Sequence, residues 1–286
     1  MSRITERPWT RFYGDVPESL EYPRVTLYEA LAASVERRPN EVAIDFLDAK
    51  LSYRELLDAV DRCAAALGAL GLTAGDRITI STPTCPQGAI AFYAAAKLGV
   101  VASMIHPLST ASEIEGYLTR SGSRVALTLD ALYAPFAEVR ERTPLETLIL
   151  ARIPDYLGAL KRLGFWLTRG RKIPRVLADP SVVWWSRLLD EDHPQPVTTP
   201  TSTDDPAAIL YSGGTTGEPE GDRALPSELH QRRPASGGLG RPGGARHRPC
   251  SAAALPRLRA RSARQRKPPQ RREGRDGAGL QPEGRR

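Results

Sequence analysis

The chain lacks the features that mark membrane-spanning or secreted proteins. Its longest apolar runs are far shorter than the ~20 residues that a helix needs to cross a bilayer. Residues 1–10 are polar and contain no apolar signal core. The three cysteines, Cys63, Cys85 and Cys250, are spaced too widely for a metal-binding motif or a disulfide framework. These absences predict a cytoplasmic protein without disulfides and assign no metal ligand.

The last part of the chain also lacks the side chains that build a core. Residues 222–286 contain no Val, Ile, Phe, Tyr, Trp or Met, whereas Arg, Pro, Gly and Ala fill 42 of these 65 positions. Their 16 Arg and one Lys outweigh five acidic residues by +12, so the total of +7 leaves residues 1–221 at −5. Such a composition buries too little apolar area to offset the entropy of ordering. We therefore expect a folded domain over 1–221 and a disordered tail over 222–286.

Two origins fit this basic tail. A natural arm would bind nucleic acid or acidic lipid through its charge, although no specific nucleic acid is expected as a partner. A shifted reading frame in a GC-rich gene would also yield mainly Arg, Ala, Gly and Pro. Residues 222–232 permit a coding that, read one nucleotide later, gives Ile-Ala-Leu-Ser-His-Leu-Asn-Phe-Ile-Asn-Ala. Because this has the apolar and polar mixture of a folded protein, we favour the frameshift.

Residues 1–221 alternate between strand and helix patterns. Thr26 and Ser52 each precede an acidic residue three positions later, a capping-box pattern that predicts a helix after each. Strand patterns lie at 41–46, 76–81, 100–105, 124–129 and 146–150, and further helical patterns at 87–98, 112–119 and 131–142. Strands that alternate with helices form parallel sheets covered by helices. The predicted class is α/β, a parallel sheet flanked by helices.

Residues 153–172 form an amphipathic segment. Its apolar stripe at helical spacing comprises Tyr156, Leu157, Leu160, Leu163, Gly164 and Leu167, with Phe165 and Trp166 nearby. Its basic residues are Lys161, Arg162, Arg169, Arg171 and Lys172. One interpretation is a helix whose stripe covers the domain core. The other is a peripheral membrane contact with basic flanks, which would make the cytoplasmic protein membrane-associated.

A glycine-rich turn follows the apolar strand pattern at 207–211. Residues 211–221 read Tyr-Ser-Gly-Gly-Thr-Thr-Gly-Glu-Pro-Glu-Gly. Its glycines permit positive φ angles and a close backbone approach to a ligand, and its hydroxyl groups are hydrogen-bond donors. Successive backbone N–H groups in such a turn can surround a phosphate. It is not a Walker P-loop, because the Gly-Lys-Ser/Thr ending is missing. On glycine content alone, an ordinary flexible turn is the commoner explanation.

The full string resembles the phosphate-binding signature of the adenylate-forming superfamily, which includes acyl-CoA synthetases. Residues 212–221 fit nine of the ten positions of Tyr/Ser/Thr-Ser/Gly-Gly-Thr-Thr-Gly-x-Pro-Lys-Gly. The family pattern continues as Leu-Ser/Thr-His-x-Asn, which the shifted frame also contains. Other stretches resemble bacterial long-chain fatty acid–CoA ligases: 7–9, 22–23, 51–56, 75–77, 83–87, 106–108 and 142–146. The resemblance covers essentially all of 1–221 and implies a partial N-terminal domain of the acyl-CoA synthetase fold.

The resemblance implies an ATP-dependent fatty acid–CoA ligase. In such enzymes a fatty carboxylate attacks the α-phosphate of ATP, and the thiol of coenzyme A then displaces AMP from the acyl-adenylate. ATP, Mg²⁺ and coenzyme A are the implied cofactors, and a fatty acid is the implied substrate. The residues carried over to the nucleotide site are Ser212, Gly213, Gly214, Thr215, Thr216 and Gly217, with Glu220 at the position of the family's lysine.

Two departures from the family pattern affect function. Glu220 would repel the triphosphate that a lysine attracts, by roughly 4 kcal/mol per unit charge at about 4 Å and an effective dielectric near 20, unless its side chain points to solvent. Both alternatives stay open. The family's Thr-Glu motif, ribose-binding Asp, hinge and catalytic Lys have no counterpart after Gly221. We therefore assign no catalytic residue and expect a truncated, inactive fragment.

Three competing functions follow from the same features. Another adenylating enzyme, for an aryl acid or an amino acid, would share the loop, because the acyl pocket lies largely beyond residue 221. A nucleic-acid-binding protein would act through residues 223–286 and lose affinity at high salt. A degraded gene product would have no function.

Overall fold

The computed structural model describes residues 24–168, 173, 176, 179–196, 202–212 and 220–231, all within a compact unit of residues 1–255. A second unit, residues 256–286, lies outside the described residues. The described helices are α1 (Leu27–Arg37), α2 (Tyr53–Ala69), α3 (Pro86–Leu98), α4 (Ala111–Ser121), α5 (Tyr133–Val139), α6 (Ala159–Thr168), α7 (Trp185–Asp190) and α8 (Pro226–Gln231). The described strands are β1 (Val42–Phe46), β2 (Ala49–Ser52), β3 (Arg77–Ser81), β4 (Val101–Met104), β5 (Val125–Leu129), β6 (Thr147–Ala151), β7 (Val182–Trp184), β8 (Ala208–Ser212) and β9 (Glu220–Ala224).

Seven strands form the main sheet, in the order β7-β6-β5-β3-β4-β8-β9. Every neighbouring pair is parallel except β8 and β9, which are antiparallel. In the register at the centre, Ile78 of β3 lies between Ala102 of β4 and Val125 of β5. The predicted α/β class, a parallel sheet flanked by helices, is confirmed.

Helices cover both faces of this sheet. On one face, Val60 of α2, Ile90 of α3 and Trp185 of α7 belong to the same buried cluster as Ile78 and Ile80 of β3. On the other face, Leu118 of α4 and Phe136 of α5 pack with Leu148 and Leu150 of β6. The alternation of side chains along each strand divides the buried residues between these two clusters. The central strands are therefore buried on both faces, as parallel strands usually are.

The first two strands form a separate antiparallel hairpin. Phe46 pairs with Ala49, and the two turn residues between them, Leu47 and Asp48, have positive φ angles of 51° and 68°. Antiparallel strands need only such a two-residue connection, whereas parallel strands need a long crossover. The strand predicted at 41–46 is confirmed, but its partner β2 was missed because four residues carry little periodic signal.

Both predicted capping boxes are present. The Glu29 amide donates to Thr26 Oγ1 at 3.2 Å, and the Thr26 amide donates back to Glu29 Oε2 at 2.7 Å. Ser52 and Glu55 repeat these two bonds at 3.2 and 2.7 Å. Thr110 caps α4 in the same way with Glu113. Each N-cap is worth about 1 kcal/mol, which explains why these helices begin where local sequence predicts.

The amphipathic segment divides into two parts with different surroundings. Residues Ile153–Tyr156 form a 3₁₀ turn in which Pro154 is buried and Tyr156 packs against the core. Burial is the main cause that raises the pKa of Tyr156 to about 12. In α6, by contrast, Leu160 and Trp166 are 84% and 51% exposed. The interpretation that the whole stripe covers the core is wrong for α6, because periodicity reveals an apolar side but not the direction in which it faces.

The predicted start of the disordered tail also differs from the structure. Residues 222–224 belong to β9, and α8 follows at Pro226–Gln231. Ala224 and Leu229 are 9% and 5% exposed and join the core cluster. Strand pairing uses backbone groups, which every residue but proline supplies in full, so an unfavourable composition did not prevent it. Residues 232–286, where the rest of the predicted tail lies, are outside the described residues.

Candidate functional site

The predicted nucleotide-binding turn connects β8 to β9. Ser212 is the last residue of β8 and Glu220 the first of β9, and the two are partners in the antiparallel register. Cα atoms of such partners lie about 5 Å apart, so the structure brings these two predicted site residues together. Five other predicted site residues lie outside the described residues: Gly213, Gly214, Thr215, Thr216 and Gly217.

Strand β8 presents this connection at the carboxyl end of the parallel strands. Ala208 pairs with Ala102 and Leu210 with Met104, so β8 runs alongside β4 in the same direction. Ligands of open α/β sheets bind outside the carboxyl ends of the strands, where the connecting segments lie. The Ser212 end of β8 is therefore at the edge of the sheet where a substrate site is expected.

Tyr211 holds this end of β8 in place. Its hydroxyl lies 3.2 Å from Ser103 Oγ on β4, within hydrogen-bond distance. Its ring packs on Tyr117 of α4, with centroids 4.4 Å apart and planes inclined by 45°. Burial is the main cause that raises the pKa of Tyr117. Sequence reasoning missed both partners, because they lie far from Tyr211 along the chain.

Buried polar groups also gather at the carboxyl ends of β3 and β5. The helices after these two strands lead in opposite directions, to β4 and to β6, which makes this gap a topological switch point. Thr128 Oγ1 donates to the Ser81 carbonyl at 3.0 Å across the gap. Gln87 of α3 donates to the Arg152 carbonyl at 2.8 Å. Ser81 Oγ, Thr82 Oγ1 and Gln87 Oε1 are buried without a protein hydrogen-bond partner.

Asp130 follows β5 at this switch point. Its side chain is 10% exposed, and its Oδ1 accepts a hydrogen bond of 2.8 Å from the Ala131 amide. Arg152 lies 3.8 Å from its Oδ2 and stacks on Trp184, 3.7 Å from the ring centroid. Burial raises the pKa of Asp130, and the Ala131 amide and Arg152 only partly oppose that effect. Ionisation of the Asp130 carboxyl therefore lowers the stability of the folded state.

Two other features do not contribute to this site. A cavity of 440 Å³ is lined by Arg140, Thr143, Leu145 and Asp179, among others. Thr143 and Leu145 precede β6 and Asp179 precedes β7, so the cavity lies at the opposite, amino edge of the sheet. Within the described ranges no three His, Cys, Asp or Glu side chains cluster closely enough to hold a metal ion.

Comparison with curated proteins gives two kinds of relative. The Bacillus subtilis (strain 168) long-chain-fatty-acid–CoA ligase is 29% identical over 222 residues, which cover 76% of this chain and 40% of the relative. An acetyl-coenzyme A synthetase from Deinococcus radiodurans is 32% identical over 174 residues, which cover 59% of this chain and 25% of the relative. The chain therefore spans two fifths or less of the length of these relatives.

Solved structures share the fold at low sequence identity. An anthranilate CoA ligase in complex with anthranoyl-AMP superposes with a TM-score of 0.60 at 18% identity, covering 73% of this chain and 36% of the other. A long-chain-fatty-acid-CoA ligase from Archaeoglobus fulgidus gives 0.58 at 20% identity, covering 74% and 39%. The sequence profile of AMP-binding enzymes matches residues 31–221, which is most of the chain and ends at the last residue of the glycine-rich string. The chain belongs to the AMP-binding enzyme family.

Proposed function

We propose that this chain carries the phosphate-binding part of an ATP-dependent acid–CoA ligase. The observation that carries the proposal is the register of Ser212 with Glu220, which closes the Gly-Gly-Thr-Thr-Gly connection on the carboxyl end of a parallel strand. That edge of the sheet is where open α/β folds bind ligands. Membership of the AMP-binding family supports a nucleotide as the ligand.

The hydrogen-bond donors in the sequence of this connection suit a triphosphate, and Glu220 is the one unfavourable residue. The hydroxyls of Ser212, Thr215 and Thr216, together with the backbone N–H groups of the glycines, would donate hydrogen bonds to the β- and γ-phosphate oxygens. Donors at these positions would stabilise the charge that grows on pyrophosphate as the acid's carboxylate oxygen bonds to the α-phosphorus and the bridging P–O bond breaks. The carboxylate of Glu220 at the lysine position would oppose this binding where it faces the triphosphate, and would have little effect where it points to solvent.

We further propose a medium- or long-chain fatty acid as the substrate. The Bacillus subtilis relative named as a long-chain-fatty-acid–CoA ligase supports this choice, and the amphipathic segment at 153–172 is consistent with a lipid-related role. Acetate is the second candidate, because acetyl-coenzyme A synthetases are among the relatives. Comparing palmitate, octanoate and acetate in an AMP-release assay of a complete, in-frame enzyme would separate these candidates.

The reading-frame change beyond Gly221 remains part of this proposal. A tail of shifted frame would lack the adenine, ribose and catalytic motifs that the family resemblance requires, so we expect the 286-residue chain to release no AMP from ATP, palmitate and coenzyme A. The nucleotide sequence around codon 221 tests whether a shifted reading frame explains the missing motifs. An inserted or deleted base, followed by an open frame that encodes these motifs, would support the proposal; an uninterrupted ancestral frame encoding the basic tail would contradict it.

Nucleotide binding can be measured on the chain as it exists. Titration calorimetry with ATP should give weaker binding for a Thr215→Val/Thr216→Val variant, because valine keeps the shape of threonine but removes the hydroxyl donors. Thr119→Val, at an exposed position on α4, is the matched control and should bind ATP like the original chain. Equal affinities for the double variant and the control would contradict the assignment of this connection to phosphate.

A further inference from the structure

Helix α6 turns its large apolar side chains away from the domain. Leu160, Leu163, Trp166 and Leu167 are 84, 58, 51 and 62% exposed. At about 100° per residue, these four positions fall within an arc of about 120° on one side of the helix. Only two other large hydrophobic side chains among the described residues are comparably exposed, Leu47 and Leu108. The exposed apolar surface is thus concentrated on α6.

The other side of α6 is fixed to the domain. Lys161 Nζ donates to the Leu47 carbonyl at 2.8 Å and pairs with the Asp48 carboxylate, both in the turn of the β1–β2 hairpin. Phe165, one helical turn from Lys161, is the only half-buried residue of α6 among those whose burial is described. Because Lys161 and Phe165 lie roughly 100° and 140° around the helix from Leu160, docking through them directs the apolar arc outward.

Basic residues are frequent in the sequence of α6 and of the segment that follows it. Residues 156–178 contain Lys161, Arg162, Arg169, Arg171, Lys172 and Arg175. The same stretch contains no aspartate or glutamate, although residues 1–221 as a whole carry a net charge of −5. A positively charged segment in an otherwise negatively charged domain is complementary to a negatively charged surface.

We propose that α6 binds the interface of an anionic lipid bilayer, with Leu160, Leu163, Trp166 and Leu167 among the acyl chains and the exposed Arg162 at the headgroups. An outward apolar arc beside exposed positive charge is the pattern of helices that lie in the plane of a membrane. Tryptophan prefers this depth because its ring is apolar and its N–H is polar. No helix among the described residues is long and apolar enough to cross a bilayer.

The first test uses the full chain and vesicles of phosphatidylcholine and phosphatidylglycerol. The basic residues 222–286 would themselves attract such vesicles, so simple co-sedimentation does not report on α6. These residues contain no tryptophan, and we therefore measure quenching of tryptophan fluorescence by phosphatidylcholine brominated on its acyl chains. The original chain should be quenched more strongly than Trp166→Phe, which keeps the other three tryptophans. Equal quenching of the two chains would overturn the proposal.

The second test compares two exposed leucines in the same full chain. Leu163→Ser removes an apolar side chain from the arc, and Leu108→Ser removes one that is 74% exposed elsewhere. We expect the brominated-lipid quenching of Leu163→Ser to require about tenfold more lipid, and that of Leu108→Ser to be unchanged. Equal effects would overturn the proposal. So would sedimentation velocity without vesicles that shows a dimer dissolved by Leu163→Ser, because a second copy would then cover α6.

Discussion

The hydroxyl of Thr82 occupies the space that a side chain at Gly88 would need. Thr82 follows β3, and Gly88 lies in the first turn of α3, so glycine lets the helix approach the end of the strand. Gln87, the neighbour of Gly88, is fully buried and bonds the Arg152 carbonyl. The fit of Gly88 against Thr82 therefore fixes α3 at the switch point between β3 and β5.

We expect Gly88→Ala to lower the free energy of unfolding by about 1–3 kcal/mol, because overpacking in a buried site forces neighbours to move. Urea denaturation measures this difference. Gly164→Ala is the matched control: a Cβ there meets no atom within 4 Å, and alanine in a helix is favoured over glycine by up to about 1 kcal/mol. Adding Thr82→Ala to Gly88→Ala should recover part of the loss. A loss that is unchanged in the double variant would contradict this explanation.

Glu220→Lys should strengthen ATP binding by the full chain at least about fivefold. Reversing one charge near a triphosphate changes the interaction by several kcal/mol at an effective dielectric near 20, and solvent screening reduces that figure. Calorimetry at low and high salt measures the gain and its ionic-strength dependence. Glu218→Lys makes the same change in net charge two residues away and should have a smaller effect. Equal gains in the two variants would indicate a general charge effect and not a specific position.

Asp130→Asn should raise the free energy of unfolding at pH 7. Burial raises the pKa of Asp130 above its ordinary value of 3.8, so the folded state binds the proton more tightly than the unfolded state does. Stability from this group is then fully present below the ordinary pKa and is lost as pH rises through the folded-state value. Asparagine avoids that loss and can still accept from the Ala131 amide. The increase in the free energy of unfolding that Asp130→Asn gives over the original chain should therefore disappear as the pH falls toward 3.8.

Urea denaturation at pH 7 and in mild acid measures this benefit. Asp58→Asn, an exposed aspartate in the middle of α2, controls for the removal of one negative charge. If Asp130→Asn were destabilising at pH 7, the attraction between Asp130 and Arg152 would outweigh the cost of burial, and the direction of the pKa change would be wrong.

Local features were predictable from the sequence, and contacts between distant segments were not. The helices after Thr26 and Ser52 begin as predicted because a cap depends on residues three positions apart. Ser103 and Tyr211 are 108 positions apart, and no pattern along the chain indicates their contact. Likewise, the periodicity of α6 predicted an apolar side, but the exposure of Leu160 and the contact of Lys161 with the Leu47 carbonyl, 114 positions away, show that this side faces outward.

The candidate site was predicted from its family signature. The glycine-rich string identified Ser212 and Glu220 as members of one turn, and the register of β8 with β9 places them opposite each other. The buried Ser81, Thr82 and Gln87 were not identified, because isolated polar residues in apolar surroundings are individually common and only the strand order reveals a shared crevice.

Strand β9 is the last of its sheet among the described strands, and its sequence is rich in charged residue types. Three of its five residues are of charged types, namely Glu220, Asp222 and Arg223. Charged side chains on an edge discourage a second chain from adding its own strand there. The shifted frame would place Ile-Ala-Leu at 222–224. Glu220 would then be the only charged residue in the sequence of β9. A repaired chain of this same length would therefore polymerise or precipitate more readily than the printed one, unless restored downstream sequence covers β9.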